Sequence, residues 1–161
     1  KKLQYFDHEE NKSYTPYVVE TSIGLDRMFL AIFSNSLVEE ELDNNTTRTV
    51  LKLPAVLAPT KAAILPLVKK DGLPEVARQI MKDLSWDFNV FYDEKDAVGK
   101  RYRRQDAAGT PFCITVDHET LENNTVTIRH RDTMKQERVQ ISELKEMIAQ
   151  AVDAKTWLMK M

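Results

Sequence analysis

Four residues whose types suit ligand chemistry lie within eight positions, at Glu20, Ser22, Gly24 and Arg27. On an extended strand Glu20, Ser22 and Gly24 face the same side, because side chains alternate along a strand. A carboxylate can hold an ammonium group, a glycine admits close approach of a ligand, and an arginine suits phosphate. The pattern could hold a small amine beside a nucleotide, although spacing alone favours a plain strand that ends at a glycine between solvated charges.

A second set of candidates is the basic run Lys100-Arg101-Tyr102-Arg103-Arg104. Its concentrated positive charge suits phosphate contacts, and the ring of Tyr102 could stack on an unpaired base. Arg129, Arg131 and Arg138 lie on a predicted hairpin and could extend the same patch. Because an isolated basic run is more often a solvated helix face, both interpretations stay open at this point.

Metal and thiol chemistry have little support in the sequence. Cys113 is the only cysteine, which excludes an intrachain disulfide and a thiolate-only metal site. Its position between Phe112 and Ile114 predicts that it packs in the core as a small apolar residue. The three histidines show no ligand spacing, so we expect no metal site in this chain.

The first group of candidates is placed by a predicted hairpin and a predicted helix. Residues 1–7 and 14–23 have strand-like patterns on either side of a polar turn, which predicts an antiparallel hairpin. Leu25–Val38 carries apolar residues at helical spacing, with Asp26 in the first turn, where a carboxylate is favourable. Residues 39–47 are polar and aperiodic, which predicts a linker and a domain boundary near residues 43–49.

The second group is placed by alternating strands and helices. Strands are predicted at residues 62–68, 88–92, 112–116, 125–131 and 137–141. Helices are predicted at residues 74–83, at 96–105 with Asp96 as N-cap, and from the N-cap Ser142 to Leu158. This order predicts an α/β fold in which a mixed, partly parallel five-stranded sheet has helices on both faces.

Length and composition limit the class of protein. The chain has 161 residues, of which 42% are hydrophobic and 30% charged, and its formal net charge is −2. This suits one domain or slightly more, and it excludes a disordered tail, a collagen-like chain and a membrane-spanning protein. The first ten residues contain no apolar signal core, so a cytoplasmic location without membrane contact is predicted. A near-neutral charge leaves nucleic-acid binding open, because clusters matter more than totals.

Residues 16–27, Pro-Tyr-Val-Val-Glu-Thr-Ser-Ile-Gly-Leu-Asp-Arg, resemble motif 3 of class II aminoacyl-tRNA synthetases in the form found in dimeric-type glycyl-tRNA synthetases. The Glu-x-Ser-x-Gly-x-x-Arg core is specific when a domain of the kind predicted here follows it. The resemblance covers essentially the whole chain and continues at residues 57–59, 64–67, 99–106, 109–112 and 126–134.

By this resemblance the first group of candidates would bind the substrates of amino-acid activation. Glu20 would accept the ammonium group of glycine, and Gly24 would leave room in the pocket. Arg27 would bind the ATP phosphates and stabilise the charge of the leaving pyrophosphate. The implied glycine-binding residues are Glu20, Thr21, Ser22, Ile23 and Gly24, and the implied ATP-binding residues are Gly24, Leu25, Asp26 and Arg27.

The resemblance also implies that the basic run belongs to the anticodon-binding domain that glycyl-, threonyl-, prolyl- and histidyl-tRNA synthetases share. Phosphate contacts would supply affinity, and base edges would supply recognition. Residues 1–48 would be the C-terminal remnant of an antiparallel class II catalytic domain with a linker, and residues 49–161 the anticodon-binding domain. The implied tRNA-binding residues are Lys100, Arg101, Tyr102, Arg103, Arg104, Arg129 and Arg131.

The parent enzyme implied by the resemblance is a cytoplasmic, homodimeric ligase that attaches glycine to tRNA(Gly) through glycyl-adenylate, using ATP together with Mg²⁺. Motifs 1 and 2 of such enzymes do not occur in this sequence, so the chain alone is expected to bind tRNA weakly and to catalyse nothing. Two alternatives stay open. One is the accessory subunit of mitochondrial DNA polymerase, which has a similar fold but no need to retain Glu20, Ser22 and Arg27. The other is a prolyl- or threonyl-type synthetase that shares the domain.

Overall fold

A computed structural model describes residues 3–42 and 46–159. The chain divides into two compact units, residues 1–30 and residues 31–161. The boundary between the two compact units therefore lies before residue 48, the predicted end of the first functional domain. The division into a catalytic remnant and an anticodon-binding domain at residue 48 stays a prediction.

The first unit contains a short antiparallel hairpin of strands β1 (Tyr5–Asp7) and β2 (Lys12–Tyr14). The predicted hairpin is confirmed, but its second strand ends nine residues before the predicted end at Ile23. Residues 15–24 are exposed and have no regular secondary structure. Pro16 lacks a backbone donor, and no third strand pairs with this segment among the residues described.

Helix α1 (Leu25–Ser36) confirms the predicted helix and carries Asp26 in its first turn. It ends two residues before the predicted end at Val38. Leu37 and Val38 instead begin a strand that pairs with residues further along the chain.

The linker predicted over residues 39–47 is wrong. Strands β3 (Leu37–Leu42) and β4 (Thr46–Leu51) form an antiparallel hairpin there, and residues 43–45 lie outside the described residues. Side chains along β3 alternate between exposed and half-buried positions, and Arg48 of β4 donates from Nε to Glu40 Oε2 at 2.6 Å. The three consecutive glutamates at residues 39–41 hide the alternation of a strand in the sequence, because Glu40 is half-buried although it is charged. Arg48, which stabilises Glu40, lies on the neighbouring strand and is not adjacent to it in the sequence.

A five-stranded mixed sheet forms the centre of the second unit, as predicted. Its strands are β5 (Ala62–Pro66), β6 (Val90–Tyr92), β7 (Phe112–Val116), β8 (Thr125–His130) and β9 (Gln136–Gln140). They lie in the order β6-β5-β7-β8-β9. Strand β5 is parallel to β6 and β7, whereas β8 is antiparallel to β7 and β9.

Within the described residues, five further helices connect or follow these strands. They are α2 (Leu73–Leu84), α3 (Val98–Ala108), α4 (His118–Asn123), α5 (Leu144–Val152) and α6 (Ala154–Leu158). The sequence does not predict α4, because six residues are too few to show an apolar period. The N-cap of α3 is Ala97, which has the extended backbone of a cap residue, and not the predicted Asp96. Asp96 has a left-handed backbone, with φ of 68°, and its carboxylate accepts a hydrogen bond from Arg104 at 2.8 Å.

The last predicted helix is divided into two and begins differently. A 3₁₀ turn at Ile141–Glu143 precedes α5, and its N-cap is Gln140 and not Ser142. The Gln140 amide donates to the Glu143 carboxylate at 3.2 Å. The helix is then interrupted at Asp153, whose carboxylate accepts a hydrogen bond from the Thr156 amide at 2.6 Å. Asp153 therefore acts as the N-cap of α6.

Both faces of the sheet are covered by helices. On one face α2 and α5 pack on the strands, and on the other face Tyr102 of α3 packs on Ala63, Leu65 and Cys113. Burial raises the pKa of the Cys113 thiol to about 12, so this cysteine is an unreactive core residue, as predicted. The core between the sheet and helices α2 and α5 consists of Ala62, Ile64, Leu73, Ala77, Ile80, Leu84, Phe112, Ile114, Val116, Val126, Ile128, Leu144 and Ile148.

The connections that leave β5 and β6 run to opposite faces of the sheet. The connection after β5 leads to α2, and the connection after β6 leads to α3. The strand order also reverses at β5, because β6 lies on one side of it and β7 on the other. In open α/β sheets, ligands bind outside the carboxyl ends of the strands at such a switch point. We call this region the carboxyl edge and define it as residues 67–72, 93–97 and 117–118.

Candidate functional site

The residues predicted to bind glycine and ATP are exposed. Residues 20–23 lie in the irregular segment, and Arg27 lies in the first turn of α1. A Cβ atom placed on Gly24 would lie 3.5 Å from Arg27 Cδ, so the structure brings these two residues together. No side-chain hydrogen bond joins Glu20 or Ser22 to them within the described residues, and their assignment to substrate binding stays a prediction.

The basic run lies on α3, and its side chains have unequal surroundings. Arg101 is only 2% exposed. Its Nη1 donates to the carbonyls of Pro66 at 2.6 Å and Asp93 at 3.1 Å, and its Nη2 donates to the carbonyl of Leu67 at 3.2 Å. A side chain that is buried and bonded in this way is not available to a phosphate at the surface.

Tyr102 and Arg129 belong to a second buried cluster under α3. The Tyr102 hydroxyl is hydrogen-bonded to Thr115 Oγ1 at 2.7 Å, and the Arg129 guanidinium lies 4.9 Å from the centre of the Tyr102 ring. Arg129 also donates two hydrogen bonds to the carboxylate of Asp106, at 2.8 and 3.1 Å. Arg48 donates to the same carboxylate at 3.1 Å, so Asp106 joins the β3–β4 hairpin to the sheet.

Arg131 is likewise a structural residue in this conformation. It is buried, and it donates to the carbonyls of Gly109 at 2.8 Å and Leu53 at 2.7 Å. It also donates from Nε to the Asp132 carboxylate at 2.7 Å. Burial thus removes Arg101, Arg129 and Arg131 from the surface that the sequence assigned to them.

Three cations of the run remain accessible on the outer face of α3. Lys100 and Arg103 are exposed, and no side-chain hydrogen bond or ion pair joins either to another described residue. Arg104 is partly exposed and donates to Asp93 at 2.6 Å and to Asp96 at 2.8 Å. Arg103 and Arg104 also line a cleft of about 360 Å³ between α3 and β4. The accessible surface therefore contains fewer cations than the sequence predicts for the patch.

The carboxyl edge carries polar residues that sequence reasoning missed. Asp71 and Asp96 both have left-handed backbone conformations, with φ of 64° and 68°, which are uncommon for residues other than glycine. His118 Nε2 lies 3.1 Å from Asp71 Oδ2, which links the loop after β5 to α4. The sequence contains a signal for this edge, because polar residues follow each predicted parallel strand and ligands bind at the carboxyl ends of such strands.

Arginines hold the carboxylates of the carboxyl edge in their charged forms. The pKa of Asp96 is lowered, chiefly by its hydrogen bond from Arg104. The pKa of Asp117 is lowered chiefly by its hydrogen bond from Arg138. Burial alone would raise the pKa of Asp93, but hydrogen bonds from Arg104 and the Lys95 amide outweigh burial and lower it. The edge therefore presents carboxylate acceptors together with the exposed Lys69, Lys70 and Lys95.

Two kinds of site are absent from residues 3–42 and 46–159. None of the helices there is long and apolar enough to cross a membrane. In those ranges no three histidine, cysteine or acidic side chains come together in a way that could hold a metal ion.

The class of protein defined by this architecture is an open α/β domain with polar loops at the carboxyl edge of a mixed sheet. Residues 61–151, more than half of the chain, match the family model described as the anticodon binding domain. The chain therefore belongs to the anticodon-binding domain family, as the resemblance seen in the sequence implies. The β3–β4 hairpin lies outside the matched residues.

Curated relatives extend the similarity beyond this family match. The glycine–tRNA ligases of Borrelia hermsii and Chlorobaculum tepidum are both 52% identical to the chain, and they match 89% and 92% of it. The glycine–tRNA ligase of Rhodopirellula baltica is 51% identical over 97% of the chain. The chain spans 32%, 32% and 30% of these three relatives, or about a third of their length.

A solved structure supports the fold. The RNA binding domain of threonyl-tRNA synthetase from Cryptosporidium parvum has a TM-score of 0.57 and 23% sequence identity, over 62% of this chain and 25% of that chain. This likeness agrees with the predicted α/β fold and its mixed five-stranded sheet.

Proposed function

We propose that this chain is the tRNA anticodon-binding portion of a glycyl-tRNA synthetase. The parent enzyme attaches glycine to tRNA(Gly) in an ATP-dependent reaction through glycyl-adenylate. The observation that carries this proposal is the 52% identity to glycine–tRNA ligases over 92% of the chain, in a chain whose residues 61–151 match the anticodon-binding domain.

The alternatives have less support. The threonyl enzyme's domain is 23% identical to the chain over the region that matches, whereas eight glycine–tRNA ligases are 49–52% identical over their matched regions. The identity of about half to glycine–tRNA ligases over most of the chain likewise favours a glycyl enzyme over a prolyl-type enzyme or the accessory subunit of mitochondrial DNA polymerase.

In the parent enzyme, residues 20–24 form part of the glycine pocket, and residues 24–27 contact ATP. A carboxylate at Glu20 suits the ammonium group of glycine, and the Arg27 guanidinium beside Gly24 suits the phosphates of ATP and the charge of departing pyrophosphate. ATP binds with Mg²⁺, which neutralises part of the phosphate charge. The parent is a homodimer located in the cytoplasm.

The tRNA interface combines a cationic helix face with the carboxyl edge. Lys100 and Arg103, with a contribution from Arg104, contact backbone phosphates and supply affinity that does not depend on sequence. The loops of the carboxyl edge present carboxylates, a histidine and lysines, which can hydrogen-bond the edges of unpaired anticodon bases. Arg101, Tyr102, Arg129 and Arg131 act on tRNA through the structure that they stabilise.

A binding titration tests this proposal. We expect the chain to bind a tRNA(Gly) transcript more tightly than the same transcript with a replaced anticodon, and both affinities to fall as salt is raised. Equal affinity for the two transcripts at every salt concentration would contradict anticodon recognition. Pyrophosphate exchange by the full-length enzyme with glycine, proline or threonine then identifies the amino acid, and activity with proline or threonine alone would exclude a glycyl enzyme.

Single-charge variants separate the phosphate contacts from general charge. Lys100→Gln and Arg103→Gln are each expected to weaken binding of both transcripts similarly and to reduce the slope of log K against log salt by about 1. Lys82→Gln is the matched control, because Lys82 is exposed in the last turn of α2. The substitution removes one positive charge, as the other two do. An equal effect of all three variants would show that only net charge matters.

A further inference from the structure

We propose that Arg101 is a positioning residue for anticodon discrimination, holding the two loops of the carboxyl edge in one relative arrangement. The inference rests on the proposed function, since it concerns how the same tRNA site is organised. Arg101 occurs in the basic run and was predicted to contact tRNA directly. Its surroundings instead assign it to the interior, beneath the loops that follow β5 and β6.

The contacts of Arg101 join two segments that are distant in the chain. Its guanidinium bonds to the carbonyls of Pro66 and Leu67, at the end of β5, and to the carbonyl of Asp93, just after β6. All three acceptors are backbone atoms at the start of the loops that form the carboxyl edge. One side chain from α3 therefore bridges the two loops at their bases, just beyond the point where the Asp93 amide donates to the Ile64 carbonyl at 3.3 Å.

These loops carry the strained residues of the edge. Asp71 lies in the loop after β5 and Asp96 in the loop after β6, and both have positive φ. Such conformations persist only when surrounding contacts determine them, and they concentrate at binding sites. Asp71 lies against His118 and Asp96 accepts a hydrogen bond from Arg104. Each of these contacts holds one loop, whereas the Arg101 side chain bonds to the bases of both.

The buried position of Arg101 favours positioning over direct contact. The side chain is 2% exposed, and none of its hydrogen bonds within the described residues goes to a carboxylate. Burial is also the main cause that lowers the pKa of its guanidinium. A buried guanidinium that bonds only to carbonyls holds those carbonyls at fixed relative positions, because its N–H donors lie in one rigid plane.

Lysine is the substitution that separates charge from geometry. It keeps the positive charge, but its single ammonium nitrogen cannot reproduce the planar fork that spans three carbonyls. We expect Arg101→Lys to loosen the spacing of the two loops while leaving Lys100 and Arg103 in place. Base readout, which depends on short directional bonds, would weaken more than phosphate binding.

The experiment measures discrimination in the full chain. Affinities for tRNA(Gly) and for the anticodon-replaced transcript are determined at two salt concentrations for the wild type, Arg101→Lys and Arg48→Lys. Arg48 is the matched control, because it is also buried and hydrogen-bonded but reaches the far end of α3 at Asp106. We expect Arg101→Lys to reduce the affinity ratio of the two transcripts at least about fivefold, or about 1 kcal/mol, with an unchanged salt slope, and Arg48→Lys to retain the ratio.

Two results would overturn the inference. Arg101→Lys could keep the wild-type ratio, with or without an equal loss of affinity for both transcripts, or Arg48→Lys could lower the ratio by the same factor. Each would mean that Arg101 only stabilises the fold. Failure of the wild type to distinguish the transcripts would instead reject anticodon recognition itself, so the two failures are distinguishable.

A second measurement keeps the test decisive if the lysine variant is less stable. Backbone amide chemical shifts of Asp71 and Asp96 are compared among the three proteins at a temperature where all are folded. We expect Arg101→Lys to shift both residues and Arg48→Lys to shift neither. Unchanged shifts in Arg101→Lys would contradict a positioning role even if binding were altered.

Discussion

At the scale of single residues, neighbouring arginines of one basic run do different work. Arg103 is exposed, Arg104 pairs with two aspartates at the surface, and Arg101 is buried on three backbone carbonyls. Their residue type is the same, so their roles follow from which acceptors the fold brings within about 3 Å. Asp106 shows the converse, since one buried carboxylate accepts bonds from Arg48 and Arg129.

Removing the charge of Asp106 should destabilise the second unit strongly. Asp106→Asn leaves Arg48 and Arg129 buried with less compensation, and breaking such a buried pair costs about 3–5 kcal/mol. Asp83→Asn is the control, because Asp83 is exposed and accepts one surface hydrogen bond from Gln79, so its loss should cost less than about 1 kcal/mol. Urea unfolding of both variants measures the difference, and equal midpoints would contradict the structural role of Asp106.

The Asp117–Arg138 pair should make stability depend on pH. Arg138 donates two hydrogen bonds of 2.7 Å to Asp117 and lowers the pKa of that carboxyl. An Asp whose pKa is lower in the folded state adds stability that is present above its unfolded pKa of about 3.9 and is lost as pH falls through the folded pKa. In Arg138→Gln the loss of unfolding free energy below about pH 4 should be smaller than in the wild type. Urea unfolding from pH 2.5 to 6 tests this, and a decline as steep as that of the wild type would refute it.

At the scale of elements, α3 is the part on which most of the site depends. Its inner face carries Arg101 and Tyr102, and its outer face carries Lys100 and Arg103. Its C-terminal end lies against the β3–β4 hairpin through Asp106 and through Gly109, which has φ of 81°. The hairpin therefore supports the helix that carries the proposed phosphate contacts, although it lies outside the family match.

Gly99 in the first turn of α3 and Gly109, the C-cap of that helix, should respond oppositely to substitution by alanine. At Gly109 the conformation is left-handed, and a Cβ would lie 3.1 Å from the Leu51 carbonyl oxygen, so Gly109→Ala should cost at least about 1–2 kcal/mol. At Gly99 a Cβ would meet nothing within 4 Å, and Gly99→Ala should stabilise by about 0.4–1 kcal/mol. Thermal or urea unfolding compares them. Destabilisation by Gly99→Ala, or neutrality of Gly109→Ala, would show that the helix ends differ from this description.

At the scale of the whole molecule, the two units differ in how their backbone is held. The five-stranded sheet holds its strands between two layers of helix, whereas residues 15–24 are exposed without regular structure. Local protection of a backbone follows its hydrogen bonds and packing. A protease should therefore cleave exposed residues of the irregular segment faster than equally exposed residues of the second unit.

Limited chymotrypsin digestion should cut first at Tyr17. That side chain is fully exposed within the irregular segment. Trp86 is an internal control, because its side chain is 85% exposed while the amides of the two following residues, Asp87 and Phe88, donate to the Leu84 carbonyl at 3.1 and 3.0 Å. Mass spectrometry of the earliest products identifies the cleaved bond. A first cut at Trp86 or elsewhere in residues 61–151 would contradict the description.

The sequence by itself determined the five strands of the mixed sheet, helices α1, α2 and α3, the core position of Cys113 and the family. These depend on local periodicity, turn residues and short motifs, which are properties of contiguous segments. The extent of the tRNA surface and the existence of the β3–β4 hairpin were decided only by tertiary structure. Arg48 meets Asp106 across 58 positions, and Arg101 meets Pro66 across 35. A charged side chain is buried only where distant parts of the chain supply acceptors, and residue types in sequence do not show which acceptors those are.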